Sequence, residues 1–194
     1  MERPWLVPKV SAESRKSALE EALKAAGWKS GRWPRWVPSF IAKRSMAIPV
    51  LKRVLLTPEA NWTTLAHEAE HALRSSKHRW LWSLRYVGGV VFPLSLLSGI
   101  WQPYLLLILG PLVLPVWLWS ERFRRDEEVA AFAVSAIARV LHVGGDPEPE
   151  ILAQQSRIDA LHSYKWPYLV GGAPEKLHLD IAASAQALWG EQDA

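Results

Sequence analysis

The chain contains no cysteine, which excludes disulfide stapling and any zinc site built from thiolates. A metal site here has to rest on His, Asp and Glu. The N-terminus, Met-Glu-Arg-Pro, lacks the basic region followed by an apolar stretch that a secretory signal needs, so the start of the chain is expected to remain in the cytoplasm. There is also no continuous basic arm with interleaved aromatics. The formal net charge of +4 and pI of about 9.5 are mild, and nucleic acid is not an expected partner. No internal repeat or low-complexity tract is visible. A length of 194 residues suits one compact domain with an appendage and is short for two.

What is abundant is tryptophan, 12 in all. Trp80, Trp82, Trp101, Trp117 and Trp119 surround one apolar block, a placement that suits residues with one apolar and one wet end, membrane interfaces included. Ahead of that block, residues 11 to 26 read as an amphipathic helix. Ser11 is its N-cap, Gly27 its stop, and Leu19, Leu23 and Ala26 form its stripe. Trp28 to Leu56 breaks into short runs punctuated by Gly31, Pro34, Pro38 and Pro49, which predicts two or three short strands. At least one is an edge strand, because Pro49 cannot donate to a ladder. Thr57-Pro58-Glu59 has the form of a helix start and predicts a helix from about Pro58 to about Leu73.

From Tyr86 to Ser120 there is no charged residue, and Gln102-Pro103 divides the stretch near its middle. Two arms of roughly 17 residues would each reach about 26 Å as helix, near the thickness of a bilayer core. Lys77, Arg79 and Arg85 stand before the stretch and Arg122, Arg124 and Arg125 after it. The expectation is therefore a membrane-associated helical hairpin with both ends, and the chemistry they carry, on the cytoplasmic face. The alternative is a hairpin buried within protein, which Pro93, Pro111 and Pro115 favour. Glu121 to Val143 then reads as a helix stopped by Gly144-Gly145. Another starts near Asp146-Pro147 and carries Ile151, Leu152, Ile158 and Leu161, and a last helix lies between Ala173 and Leu188.

The segment Thr64-Leu65-Ala66-His67-Glu68-Ala69-Glu70-His71 falls inside the helix predicted after Thr57. Residues four apart lie one above the other on a helix, so the imidazoles of His67 and His71 can meet one zinc ion. Glu68 then stands beside the metal, placed to take a proton from an activated water. The bland alternative is a pair of solvated histidines on a polar face. A catalytic zinc usually has three protein ligands and an open position. Downstream, Asp126-Glu127-Glu128 begins a helical run in which Glu127 shares a face with Phe123, Ala130, Ala131, Val134, Ala138 and Leu141. That stripe predicts Glu127 as the inward carboxylate and third ligand, unless it pairs with a neighbouring arginine.

This order of parts, an edge strand, a helix with His67-Glu68-Ala69-Glu70-His71, an uncharged double span and a helix bearing Glu127, resembles membrane-embedded gluzincin metallopeptidases of the HtpX heat-shock protease and CAAX prenyl endopeptidase kind. The likeness covers about residues 46 to 142. In that family an aspartate follows the glutamate by four residues, whereas this chain has Ala131 there, and another acid such as Asp126 would have to orient the histidines.

The resemblance implies an α+β, mostly helical, zincin-like fold with a small antiparallel sheet and an inserted apolar hairpin at 86–120. Residues 1–85 and 121–194 would form one catalytic domain. It implies a Zn2+-dependent endopeptidase acting on a polypeptide laid along Met46 to Leu51, with the lipid bilayer as a second partner. His162, Tyr164 and Arg157 are weak candidates for the donor that would meet the oxyanion. Two other classes stay open: a membrane-anchored structural or pore-forming protein with a degenerate metal site, and a soluble hydrolase of small amides.

Overall fold

The structure, a computed structural model, describes residues 3–86, 103–163 and 174–191. It is mostly helical with one small sheet, as an α+β reading requires. Helix α1 (Ala12–Ala25) starts at Ser11, whose hydroxyl accepts from the Ser14 amide, and buries Leu19 and Leu23 as the stripe predicts. Gly27 ends it at φ +75°, a left-handed conformation that glycine adopts without steric cost.

The sheet has the order β1-β3-β2, from strands β1 (Lys29–Arg32), β2 (Met46–Ile48) and β3 (Arg53–Leu56). It corrects the expectation of a purely antiparallel sheet: β2 runs antiparallel to β3, but β1 runs parallel to it, with Ser30 opposite Val54. The long connection from β1 to β3, which holds a short helix α2 (Ser39–Ala42) as well as β2, permits that parallel pairing. Strand β2 lies at the sheet edge and stops where Pro49 opens a 3-10 turn, in keeping with the proline's missing donor.

The next helix starts later than Thr57-Pro58 suggests. Thr57 closes a turn with Ala60, and α3 (Trp62–Ser75) begins after Asn61, whose side-chain oxygen accepts from the amides of Thr63 and Thr64, each at 3.1 Å. Asparagine satisfies two orphan donors there, which outweighs the local signal of a threonine followed by proline. Helix α3 packs against α1 and the sheet with Leu65, Ala66, Ala69 and Ala72, all buried. A further helix, α4, is described over residues 79–86.

Helix α5 (Pro103–His142) runs unbroken for 40 residues, about 60 Å at 1.5 Å per residue. The second apolar arm and the helix expected from Glu121 are thus one element. Gly144, at φ +76°, follows its end as read. Helices α6 (Pro149–Ser163) and α7 (Pro174–Gly190) pack on α5 and on each other. The apolar residues carried by α6 do not all turn inward. Leu152 is buried, but Ile151, Ile158 and Leu161 are exposed, and the inward positions include Ser156 and Asp159, the latter paired with Arg139 of α5. Polar residues on an inner face erase the apolar period on which the reading relied.

The membrane expectation is overturned. Among the described residues no helix is long and apolar enough to cross a membrane, so the transmembrane hairpin and the membrane location with a cytoplasmic catalytic face are not carried forward. The first arm and the Gln102 turn lie outside the described residues.

Candidate metal centre

Four side chains meet where α3 crosses α5 and passes the end of β2. Helix α3 supplies His67, Glu68 and His71, with the two histidines one turn apart on the face turned toward α5. Helix α5 supplies Glu128, whose Oε2 lies 3.7 Å from Nε2 of His67 and whose Oε1 lies 3.6 Å from Nε2 of His71. These separations exceed a hydrogen bond. They match the edge of a tetrahedron around zinc, about 3.4 Å for ligand bonds of about 2.1 Å. The three donor atoms lie within 4.8 Å of one another, and this largely buried group can hold a metal ion.

Glu127, the ligand expected from the helical stripe, is elsewhere. Its carboxylate accepts from Nε and Nη2 of Arg74 at 2.9 to 3.1 Å and from Nε1 of Trp82 at 2.9 Å. Glu127 does pair with an arginine, but with Arg74 of the motif helix and not with its sequence neighbours, since Arg124 pairs with Glu121 and Arg125 with Asp180. The stripe misled because α5 is enclosed on several sides. Glu121, Arg124, Glu127, Glu128, Val134 and Ser135 are all buried, so burial does not identify the face that meets α3.

Glu128 is fixed from a third direction by the Tyr86 hydroxyl, which donates to its Oε1. Tyr86 stacks on Trp82 with ring centroids 4.6 Å apart and planes 11° apart, and both rings stand edge-on to His71 at 5.9 Å. Neither aromatic belongs to a motif that announces a site, since Trp and Tyr at the border of an apolar stretch fit an interfacial place equally well. On the other flank, Phe132 packs on His67 at 4.7 Å.

The expected orienting acid is absent. Asp126 is well exposed and faces Arg125. His67 instead hydrogen-bonds the backbone of Ala131, the position where the resembled family carries its aspartate. His71 has no such support: its Nδ1 is buried without a hydrogen-bond partner among the described residues. Of the three oxyanion candidates, Arg157 is exposed on α6 and away from the centre. The His162 side chain and Tyr164 lie outside the described residues.

Burial and mutual charge set the protonation of the centre. Burial lowers the His67 imidazole to about 4, assisted by the charge of His71. Burial also lowers His71, but the charge of Glu128 more than offsets this and holds it up at about 9. Glu128 sits correspondingly below the usual carboxylate range: burial pushes it up, but the two histidines and the Tyr86 hydroxyl outweigh that. Without an ion, the centre keeps one imidazolium against one carboxylate. Glu68 is pushed up to about 7 by burial, and His71 and a hydrogen bond from the Ala47 backbone limit the rise. That hydrogen bond ties the acid to the outer edge of β2.

The centre opens on a cavity of about 580 Å³, within the range of small-ligand and peptide sites. The β2 edge from Arg44 to Val50 forms one wall and Trp82, Ser83 and Tyr86 the other, with His67, Glu68, His71 and Glu128 between them.

Comparison with family models, with curated proteins and with solved structures found no match. The resemblance read from the motifs therefore stands on those residues alone.

Proposed function

We propose that this chain is a zinc-dependent hydrolase of peptide bonds, with the ion held by His67, His71 and Glu128 and the proton carried by Glu68. One observation carries the reading: one ligand atom from each of His67, His71 and Glu128 lies within 4.8 Å of the others, with both Nε2 atoms under 4 Å from the Glu128 carboxylate, beside an open cavity. Nitrogen and carboxylate donors suit zinc. A structural zinc site is normally closed by four protein ligands, whereas three ligands facing a cavity leave a position for chemistry. The order of motifs supports the same reading with Glu128 in place of Glu127. The residue four positions later is then Phe132, so the orienting acid is missing in either register.

Held by His67, His71 and Glu128, a zinc ion would supply Lewis acidity toward the scissile carbonyl. The chain's own residues do the rest. Glu68 is buried and anchored to Ala47, and its proton affinity lies near neutrality; the charge of a bound ion would draw it down into the ionised form. It can then take a proton from the attacking water as the carbon–oxygen bond forms. It delivers that proton to the amine nitrogen as the carbon–nitrogen bond breaks. An extended polypeptide beside the β2 edge would reach Glu68 and the centre from one side of the cavity.

The test is zinc stoichiometry and cleavage of an unfolded polypeptide by wild type, His71→Ala and Glu68→Gln. The reading expects one zinc in wild type, loss of zinc in His71→Ala, and retained zinc without turnover in Glu68→Gln. Wild-type protein that binds no zinc, or a Glu68→Gln variant as active as wild type, overturns it.

A further inference from the structure

We infer that Glu127 is a positioning residue of the metal centre, acting on Glu128 through Trp82 and Tyr86. This rests on the metal-site reading above, but it assigns a role to a carboxylate that binds no metal. Glu127 and Glu128 are adjacent in sequence, both are buried, and they have entirely different partners. Glu127 is clamped by both nitrogens of the Arg74 fork, and Arg74 lies three residues beyond His71 on the same helix. The pair therefore locks α3 to α5 one turn from the ligands, with bidentate geometry that fixes orientation as well as distance.

The same carboxylate accepts the indole N–H of Trp82 at 2.9 Å. The indole N–H is the one polar group of that side chain, so this bond anchors Trp82 against Glu127. The plane of Trp82 sets that of Tyr86 through the near-parallel stack. The Tyr86 hydroxyl then holds Oε1 of Glu128, the oxygen that faces His71. Each link is a direct contact. The chain of contacts replaces the orienting acid that this sequence lacks at position 131, and it acts on the carboxylate ligand rather than on a histidine.

Helix α3 carries a built-in control. Glu70, next to His71, forms a more deeply buried pair with Arg3, with contacts of 2.7 and 3.0 Å. That pair ties α3 to the N-terminal segment.

The experiment uses the full chain with Co2+ and Zn2+ as probes. Affinity is measured by chelator competition for wild type, Glu127→Gln, Trp82→Phe, Tyr86→Phe, the Glu127→Gln/Tyr86→Phe double variant and Glu70→Gln. The visible spectrum of bound Co2+ reports the ligand set. Glu127→Gln, Trp82→Phe and Tyr86→Phe should each weaken metal binding about tenfold or more. The double variant should be no weaker than the poorer single, and the Co2+ spectrum should stay that of wild type throughout. Glu70→Gln should lower thermal stability and leave affinity unchanged.

A Glu127→Gln variant with wild-type affinity overturns the inference. So does one whose Co2+ spectrum changes as that of Glu128→Gln does, since Glu127 would then be a ligand. If wild type binds neither ion, the hydrolase reading fails. The positioning is then decided on the metal-free protein by near-ultraviolet circular dichroism. Tyr86→Phe defines the signal of the Trp82–Tyr86 stack, Glu127→Gln should lose the same signal, and its retention refutes the link.

Discussion

Nε2 of His71 faces Oε1 of Glu128 at 3.6 Å across the gap between α3 and α5. Two helices far apart in sequence meet there through an imidazole and a carboxylate that are too far apart to hydrogen-bond and well placed to share an ion.

This relationship predicts the order of damage on substitution. Glu128→Gln should abolish high-affinity zinc binding, because it removes a charged ligand. Glu128→Asp should retain some affinity, since the shorter side chain keeps the charge but pulls back from the histidines. Equilibrium dialysis with zinc ranks them, and an unaffected Glu128→Gln would remove this carboxylate from the ligand set.

Glu68 stands outside the group of ligand atoms and has a different task. Glu68→Gln keeps the shape and loses the proton carrier, so the expected loss is about 10² to 10⁴ in kcat, the usual range for a general base. Zinc content should equal that of wild type. Parallel loss of zinc and turnover would make Glu68 a ligand instead.

The protonation pattern predicts how metal-free stability varies with pH. His71 is raised from 6.5 to about 9, so its contribution is full below pH 6.5 and disappears as pH rises through 9. Glu68, raised from 4.5 to about 7, likewise loses its contribution over that interval. His67, lowered from 6.5 to about 4, works in the opposite sense between those values and offsets Glu68 there. Net loss should therefore fall between pH 6.5 and 9. Thermal midpoints with a chelator should drop across that window in wild type and much less in His71→Ala. Zinc should flatten the wild-type curve, because a ligand histidine has already given up its proton.

The Arg3–Glu70 pair predicts a purely structural cost. Glu70 is fully buried, so Arg3→Met strands a charge in the core, at a cost on the order of 3 kcal/mol. Denaturant unfolding measures this. Glu70→Gln should cost less, because no bare carboxylate is left behind.

How much was legible in the sequence follows from the range over which each relationship acts. Helix geometry alone brings His67 and His71 to one face and puts Glu68 beside them, because the period is a local property of the backbone. Ser11, Gly27 and Gly144 punctuate the helices as their chemistry requires, and Pro49 ends the edge strand. Thr57-Pro58 carries the stronger local start signal, but the cap is Asn61, whose side chain accepts from the amides of Thr63 and Thr64.

The choice between Glu127 and Glu128 belongs to the tertiary structure. Adjacent residues on a helix differ by about 100° in direction, so a carboxylate points to a different neighbour with each step. An apolar stripe identifies an inward face only when one face is inward. Helix α5 has α3 on one side and α6 and α7 on others, and packing decided that Glu128 meets the histidines while Glu127 meets Arg74. The same packing brought Tyr86 and Trp82 to the centre from a helix with no motif to announce it, since contacts between distant segments depend on how helices dock rather than on local period.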